Sequence, residues 1–233
     1  TPIMKPPRYQ GSGADKQFGI QVRARVHAHF KEEGVSQKAD RRLWPKVAVM
    51  ILLFLLPLVV ILTVPMPAVA AFFMAVLMGV GMAGVGMAVM HDALHGSSSR
   101  HAWVNDLLGG TMYMLGSDVF TWKVQHNGAH HTHTNVDPVD QDIDPPDLLR
   151  FSEHAPLWRV HRFQHVYAFL FYGLLTMVKL GNDFFSLAKA SRDPQHRTYD
   201  FPRAFAIMAV VKLAHLFVLI GLPLWLTPFA WWQ

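Results

Sequence analysis

The stretch VAVMILLFLLPLVVILTVPMPAVAAFFMAVLMGVGMAGVGMAVM, residues 47–90, contains no charged side chain, and its only interruptions are Pro57 and the Pro65-Met66-Pro67 punctuation. At ~1.5 Å of rise per residue, residues 47–64 and 68–90 are each close to the ~20 residues that cross ~30 Å of hydrocarbon. The proline turn makes the two spans a hairpin. A secretory leader is a poor alternative: the run starts too far into the chain, is too long for a signal core and lacks a small-residue cleavage site. Gly79, Gly81, Gly84 and Gly86 crowd the second span. The small pairs Gly79/Ala83 and Gly84/Ala88 are expected to let a neighbouring helix approach closely.

The rest of the composition agrees with a membrane protein. Of 233 residues, 52% are apolar and 16% charged, and the charges avoid the apolar runs. A disordered chain is excluded. The net charge of +5 suits contact with anionic lipid and gives no reason to expect a nucleic-acid partner. With no cysteine, disulfides, zinc ribbons, thiolate-held clusters and cysteine nucleophiles are all excluded. The 14 histidines stand out, because neutral imidazole is the commonest protein metal ligand.

Lys31, Lys38, Arg41, Arg42 and Lys46 precede the hairpin, so the positive-inside rule places residues 1–46 in the cytosol and returns the chain there at His91. Two further apolar stretches follow. The first runs into Lys179 and Asp183, each costing about 2.5–3.5 kcal/mol at mid-membrane. As a span it would also turn Lys189, Arg192, Arg197 and Arg203 outward, so residues 166–188 are expected to form an interfacial helix. Residues 205–232, uncharged from Leu213 on and carrying Trp225, Trp231 and Trp232 near the end, are expected to be a third span with an aromatic belt. The fold expected is therefore all-α: a polytopic transmembrane helical protein with a cytosolic, histidine-rich helical cap.

Where the second span surfaces, the sequence reads His91-Asp92-Ala93-Leu94-His95; further on it reads His126-Asn127-Gly128-Ala129-His130-His131. Histidines four apart share a helix face, which is bite enough for a metal. Either pair alone is equally well a hydrogen-bonded helix end, but five imidazoles on one membrane face are a metal-site pattern. A carboxylate-bridged centre is not available, because Glu32, Glu33 and Glu153 are the only glutamates. Asp140, Asp142 and Asp144 imitate the start of a calcium loop, but Pro145 stands where Gly is needed and Phe151 where Glu is needed. Hydrogen bonding to histidine or arginine is the better use for them.

These boxes, HDALH and HNGAHH behind a span hairpin, resemble the membrane-bound fatty-acid desaturases. Gly96-Ser97, Asn105, Trp122, Thr134-Asn135, the three aspartates and Gln164-His165-Val166-Tyr167 are similar to the linoleoyl-CoA or front-end branch. The resemblance implies that residues 47–233 are a desaturase domain with two non-haem irons, using O2 and two electrons to remove two hydrogens from a fatty-acyl chain held by CoA or lipid in the bilayer. Matched residue by residue, His91, His95, His126, His130 and His131 would be iron ligands. Asp92, Asn127, Asn135, Asp140 and Asp144 would support them through hydrogen bonds. No catalytic side chain is expected beyond the ligands. The first 46 residues are too short for a fused cytochrome b5 and lack its His-Pro-Gly-Gly motif, so a separate donor is expected, either a ferredoxin or cytochrome b5 with its reductase.

The family's third box, of Gln-x-x-His-His type, has no counterpart up to Gln233 and is expected beyond it. His161 and His165 are read as surface or supporting residues. Two other functions share the boxes. One is a membrane hydroxylase of alkane, sterol or carotenoid type; the other is a non-catalytic metal-binding or transport protein, which would place ionisable residues along a path inside the spans.

Overall fold

A computed structural model describes residues 10–137, 139, 140, 142, 143, 148–193 and 199–229. Among these residues every regular element is helical. Helix α1 (Gly13–Glu32) opens with a reciprocal cap in which Ser12 Oγ accepts the Asp15 N–H and the Asp15 carboxylate accepts the Ser12 N–H; it buries no side chain. Helix α2 (Leu43–Thr63) ends at Val64, which is extended because the following Pro65 disfavours helical backbone there. Pro67 then caps α3 (Ala68–Leu94), whose last turns pass through a π-helical segment at Val85–Met90. Helix α4 (Ala102–Gly109) leads into a 3-10 turn, Gly110–Leu115. Helix α5 starts at Val119–Trp122 and continues as a π-helix over Lys123–His130. Two long helices follow, α6 (Gln164–Ala190) and α7 (Phe201–Leu226).

Among the described residues three helices, α2, α3 and α7, are long and apolar enough to cross a membrane; α6 is not among them. Away from the charged residues near their ends, such as Lys46 and Arg203, their exposed surfaces are apolar, as at Leu56, Phe72, Val76 and Val210, which is what a hydrocarbon solvent requires. Helices α2 and α3 meet along Gly81 and Gly84: a Cβ on Gly81 would collide with the Phe54 backbone, and one on Gly84 with the Met50 side chain. The expected Gly79/Ala83 pair is not the contact. Gly79 has open space around it and Ala83 is exposed, because the rotational phase of α3 turns Gly81 toward α2 instead.

Three apolar clusters bind the helices. Leu43 and Val47 of α2 pack with Val85, Val89 and Ala93 of α3 and Val104 and Leu108 of α4. Met90 and Leu94 pack on Met112 of the 3-10 turn, with Val119 and Trp122 of α5 against them. Leu187 of α6 and Ala204 and Met208 of α7 form the third, joined by Phe120 of α5. The cap carrying the histidines is thereby seated on the ends of α3, α6 and α7.

Candidate metal centre

The first box is an α-helical turn. The His95 N–H bonds the His91 carbonyl at 3.2 Å, and the two rings lie 4.6 Å apart. Gly96, at φ +67°, ends the helix in the left-handed conformation that glycine adopts without strain. Ser97 then satisfies the Asp92 carbonyl through its N–H at 2.9 Å and its Oγ at 2.6 Å.

The second box departs from α-helical spacing. Asp118 caps α5, its carboxylate accepting the Thr121 N–H at 2.8 Å. Past Trp122 the ladder widens, and the His131 N–H bonds the carbonyl of His126, five residues back, at 3.0 Å. This brings His126 and His131 onto one face, opposite the first box. The Nε2 atoms of His91 and His126, of His126 and His131, and of His131 and His95 are each 3.2 Å apart. The Trp122 ring stacks on His126 at 4.3 Å and meets His91 and His95 edge-on, closing one side of the cluster.

His130 stands on the other side of His126, the two rings stacked at 5.2 Å. Its Nδ1 lies 3.0 Å from both oxygens of the Asp140 carboxylate and 3.2 Å from Asp142 Oδ2, which is also 3.9 Å from His126 Nδ1. Burial would raise the Asp140 pKa, but the N–H groups of Asn135 and Asp142 and the His130 ring outweigh it and hold the carboxyl below its usual range. Asn135 donates from a left-handed backbone, φ +61°, so its contribution is that of its main chain.

The remaining supporting residues lie as follows. Asp92 Oδ1 is 3.5 Å from His91 Nδ1, a marginal contact, while its Oδ2 pairs with Lys46 at 3.2 Å. Asn127 donates to the Leu94 carbonyl at 3.4 Å, which ties the two boxes together. Asp144 lies outside the described residues. His161 accepts the Trp158 N–H in a 3-10 turn, and His165 is exposed.

Desolvation lowers the pKa of His126 to about 4, assisted by the neighbouring imidazoles of His131 and His91; His95 is lowered for the same reasons. Both are neutral at physiological pH, as a ligand must be. Hydrogen bonding does not explain the cluster. Each imidazole Nε2 has one in-plane position, either a proton or a lone pair, yet His126 and His131 each face two other Nε2 atoms. A cation among them would take one lone pair from each ring. Nitrogens 3.2 Å apart are spaced as neighbouring ligands of one ion with bonds of roughly 2.0–2.3 Å. The ligand atoms of all four rings lie within 4.8 Å of one another, and those of His126, His130 and Asp142 make a second such group.

The sequence profile described as "Fatty acid desaturase" matches residues 66–233, which contain both boxes and α3 to α7. The chain belongs to the fatty acid desaturase family. This desaturase-family chain is 32% identical over 156 residues to an acyl-lipid (8-3)-desaturase of Physcomitrium patens, covering 66% of the chain and 32% of the relative. It is 34% identical over 154 residues to a chloroplastic acyl-lipid (7-3)-desaturase of Chlamydomonas reinhardtii, covering 64% and 29%. Against an sn-1 linoleoyl-lipid 6-desaturase of Synechocystis it is 27% identical over 201 residues, covering 86% and 56%. The chain thus spans about a third to a half of the length of these relatives. No solved structure matches it. Iron is the metal this family implies, and the donor set of this desaturase-family chain fits it: borderline nitrogen ligands, with His126 and His95 shifted toward the neutral form by desolvation and one His130 nitrogen already engaged by carboxylate.

Sequence reasoning did not find Gln125 and Lys179, whose side chains continue the network: Lys179 Nζ donates to Gln125 Oε1 and Gln125 Nε2 to Asp142 Oδ1, each at 3.1 Å. Nor did it find Lys46 beside Asp92. The available signal was position, since Gln125 precedes His126.

Proposed function

We propose that the protein is a fatty-acyl desaturase whose two irons are held by ligands that include His91, His95, His126, His130 and His131. Bound iron would supply what no side chain here can, the activation of O2 that lets an unactivated chain lose two hydrogens while two donor electrons and the O2 end as water. The chain's own contribution is preorganisation. Two helices carry the imidazoles into one cluster, Trp122 screens one side of it, and Asp140 and Asp142 engage His130 Nδ1, which would leave its Nε2 free to ligate a bound metal. The single observation that carries the reading is the Nε2 cluster, drawn from boxes 31 or more residues apart in sequence and closed at 3.2 Å.

The acyl chain would approach from the bilayer. A cavity of about 340 Å³ lies between α2, the 3-10 turn and α7, lined by Phe54, Leu58, Tyr113, Met114, Ala214 and Val218. The turn that supplies Tyr113 and Met114 also supports the first box, where Met112 packs on Met90 and Leu94. We assign the boxes to the cytosolic face on the positive-inside count, and the donor to a separate ferredoxin or cytochrome b5. Support for a docking face is that Lys38 and Lys46 lie against the first box, with Arg41 and Arg42 exposed beside them, a basic surface for an acidic protein.

The test is product analysis. Cells expressing the full protein and fed defined fatty acids should accumulate an alkene, absent when His126 and His131 are both changed to Ala. An alcohol without an alkene would transfer the reading to a hydroxylase.

A further inference from the structure

Lys212 sits within α7, a helix otherwise apolar enough to span the membrane, and is only 4% exposed. An ammonium there is expensive unless all three protons are taken. All three are: Nζ donates to Asp183 Oδ2 at 2.9 Å, to the Gly116 carbonyl at 2.8 Å and to the Lys179 carbonyl at 3.0 Å. Gly116, at φ +71°, ends the 3-10 turn and is pressed so closely on the His215 ring that a Cβ would not fit. Asp183 is 3% exposed, and its Oδ2 also accepts the N–H of Asp118 at 3.2 Å. Asp118 is the residue that caps α5, the helix carrying His126, His130 and His131. One turn before Asp183 on α6, Lys179 reaches Gln125, and through it Asp142 and His130.

Both tracks start from Lys212. One fixes where the ligand-bearing helix begins; the other ends on a ligand's Nδ1. We propose that Lys212, with Asp183 and Lys179, is a positioning device for the second histidine box, so that α7 and α6 set the geometry of the metal site from within the membrane protein's core. The inference rests on the metal-centre reading. It goes beyond that reading by giving the metal site a dependence on a charge placed in another helix. A purely architectural ion pair would explain the burial and the satisfied protons. It would not explain why the carboxylate lands on the cap of α5 and the neighbouring lysine on Gln125.

The test is Co2+ titration into the metal-free full chain in detergent, followed by the absorption of imidazole-bound Co2+, with a melting curve for each variant. Lys212→Met leaves Asp183 unpaired and is expected to destabilise the fold. Lys212→Met with Asp183→Leu removes both charges, and such replacements commonly recover stability. Positioning predicts that this double variant melts like the parent yet binds Co2+ at least tenfold more weakly with an altered spectrum, within the 10–100-fold range for lost ligand support. Lys179→Met, at a partly exposed position, tests the second track without touching the buried pair: it should weaken Co2+ binding with an unchanged melting curve. Wild-type affinity and spectrum in Lys179→Met, or in a folded double variant, would overturn the proposal. A parent chain that takes up no Co2+ would instead remove the metal-centre reading, and the inference with it.

Discussion

At the residue scale, the second box shows how one hydrogen bond decides which histidines meet. Four-residue spacing pairs His126 with His130, and the two do stack; but the bond from His131 N–H to His126 O adds a fifth residue to the turn and delivers His131 to the cluster. Spacing in the sequence was compatible with either partner. The choice between an α and a π ladder depends on tertiary seating, with Trp122 and Asp118 fixing the start of the helix. The first box, an undistorted α-turn, was legible outright. Asp140→Asn, keeping shape but removing the charge facing His130, should lower metal affinity 10–100-fold with little loss of folded protein; equilibrium dialysis of Co2+ checks it. The pH dependence follows from His126. Its folded-state pKa of about 4 lies below the unfolded value of ~6.5, so protons bind the unfolded chain more tightly. The stabilisation is complete above pH ~6.5 and is lost as pH falls through about 4. Melting temperatures of the metal-free protein should drop across that window, and less steeply in His126→Gln; equal slopes would refute the assignment.

At the element scale, the hairpin of α2 and α3 was readable from the uncharged run and its prolines, because backbone in hydrocarbon must satisfy its own hydrogen bonds. Which glycines face the partner was not readable. That depends on the rotational phase of α3, set by Val85 and Val89 packing under α4, and it favours Gly81 over Gly79. Gly81→Leu should therefore separate the helices at a cost of about 1–3 kcal/mol or more, seen as a lowered unfolding midpoint in SDS, while Gly79→Leu should be near neutral. Equal effects would contradict the packing described. The charges on α6 and α7 carried the opposite lesson. Lys179 and Asp183 were costs when α6 was considered alone, and become intelligible only beside Lys212 and Gln125, contacts of 29 and 54 residues' separation.

At the scale of the whole molecule, the scarcity of glutamate and the excess of histidine already pointed to an all-imidazole site, and the resemblance of the boxes agrees with the family match over residues 66–233. What only the folded chain shows is convergence: an α-turn at the end of α3 and a π-turn on α5 closing on one another around four nitrogens. That convergence is the claim on which substrate, donor and positioning all depend. Iron analysis of the full-length protein, purified in detergent from iron-replete cells, tests it most directly. The account predicts stoichiometric iron with a nitrogen-rich coordination shell by X-ray absorption, lost when His126 and His131 are replaced by Ala; an iron-free parent, or iron retained by that double variant, would contradict it.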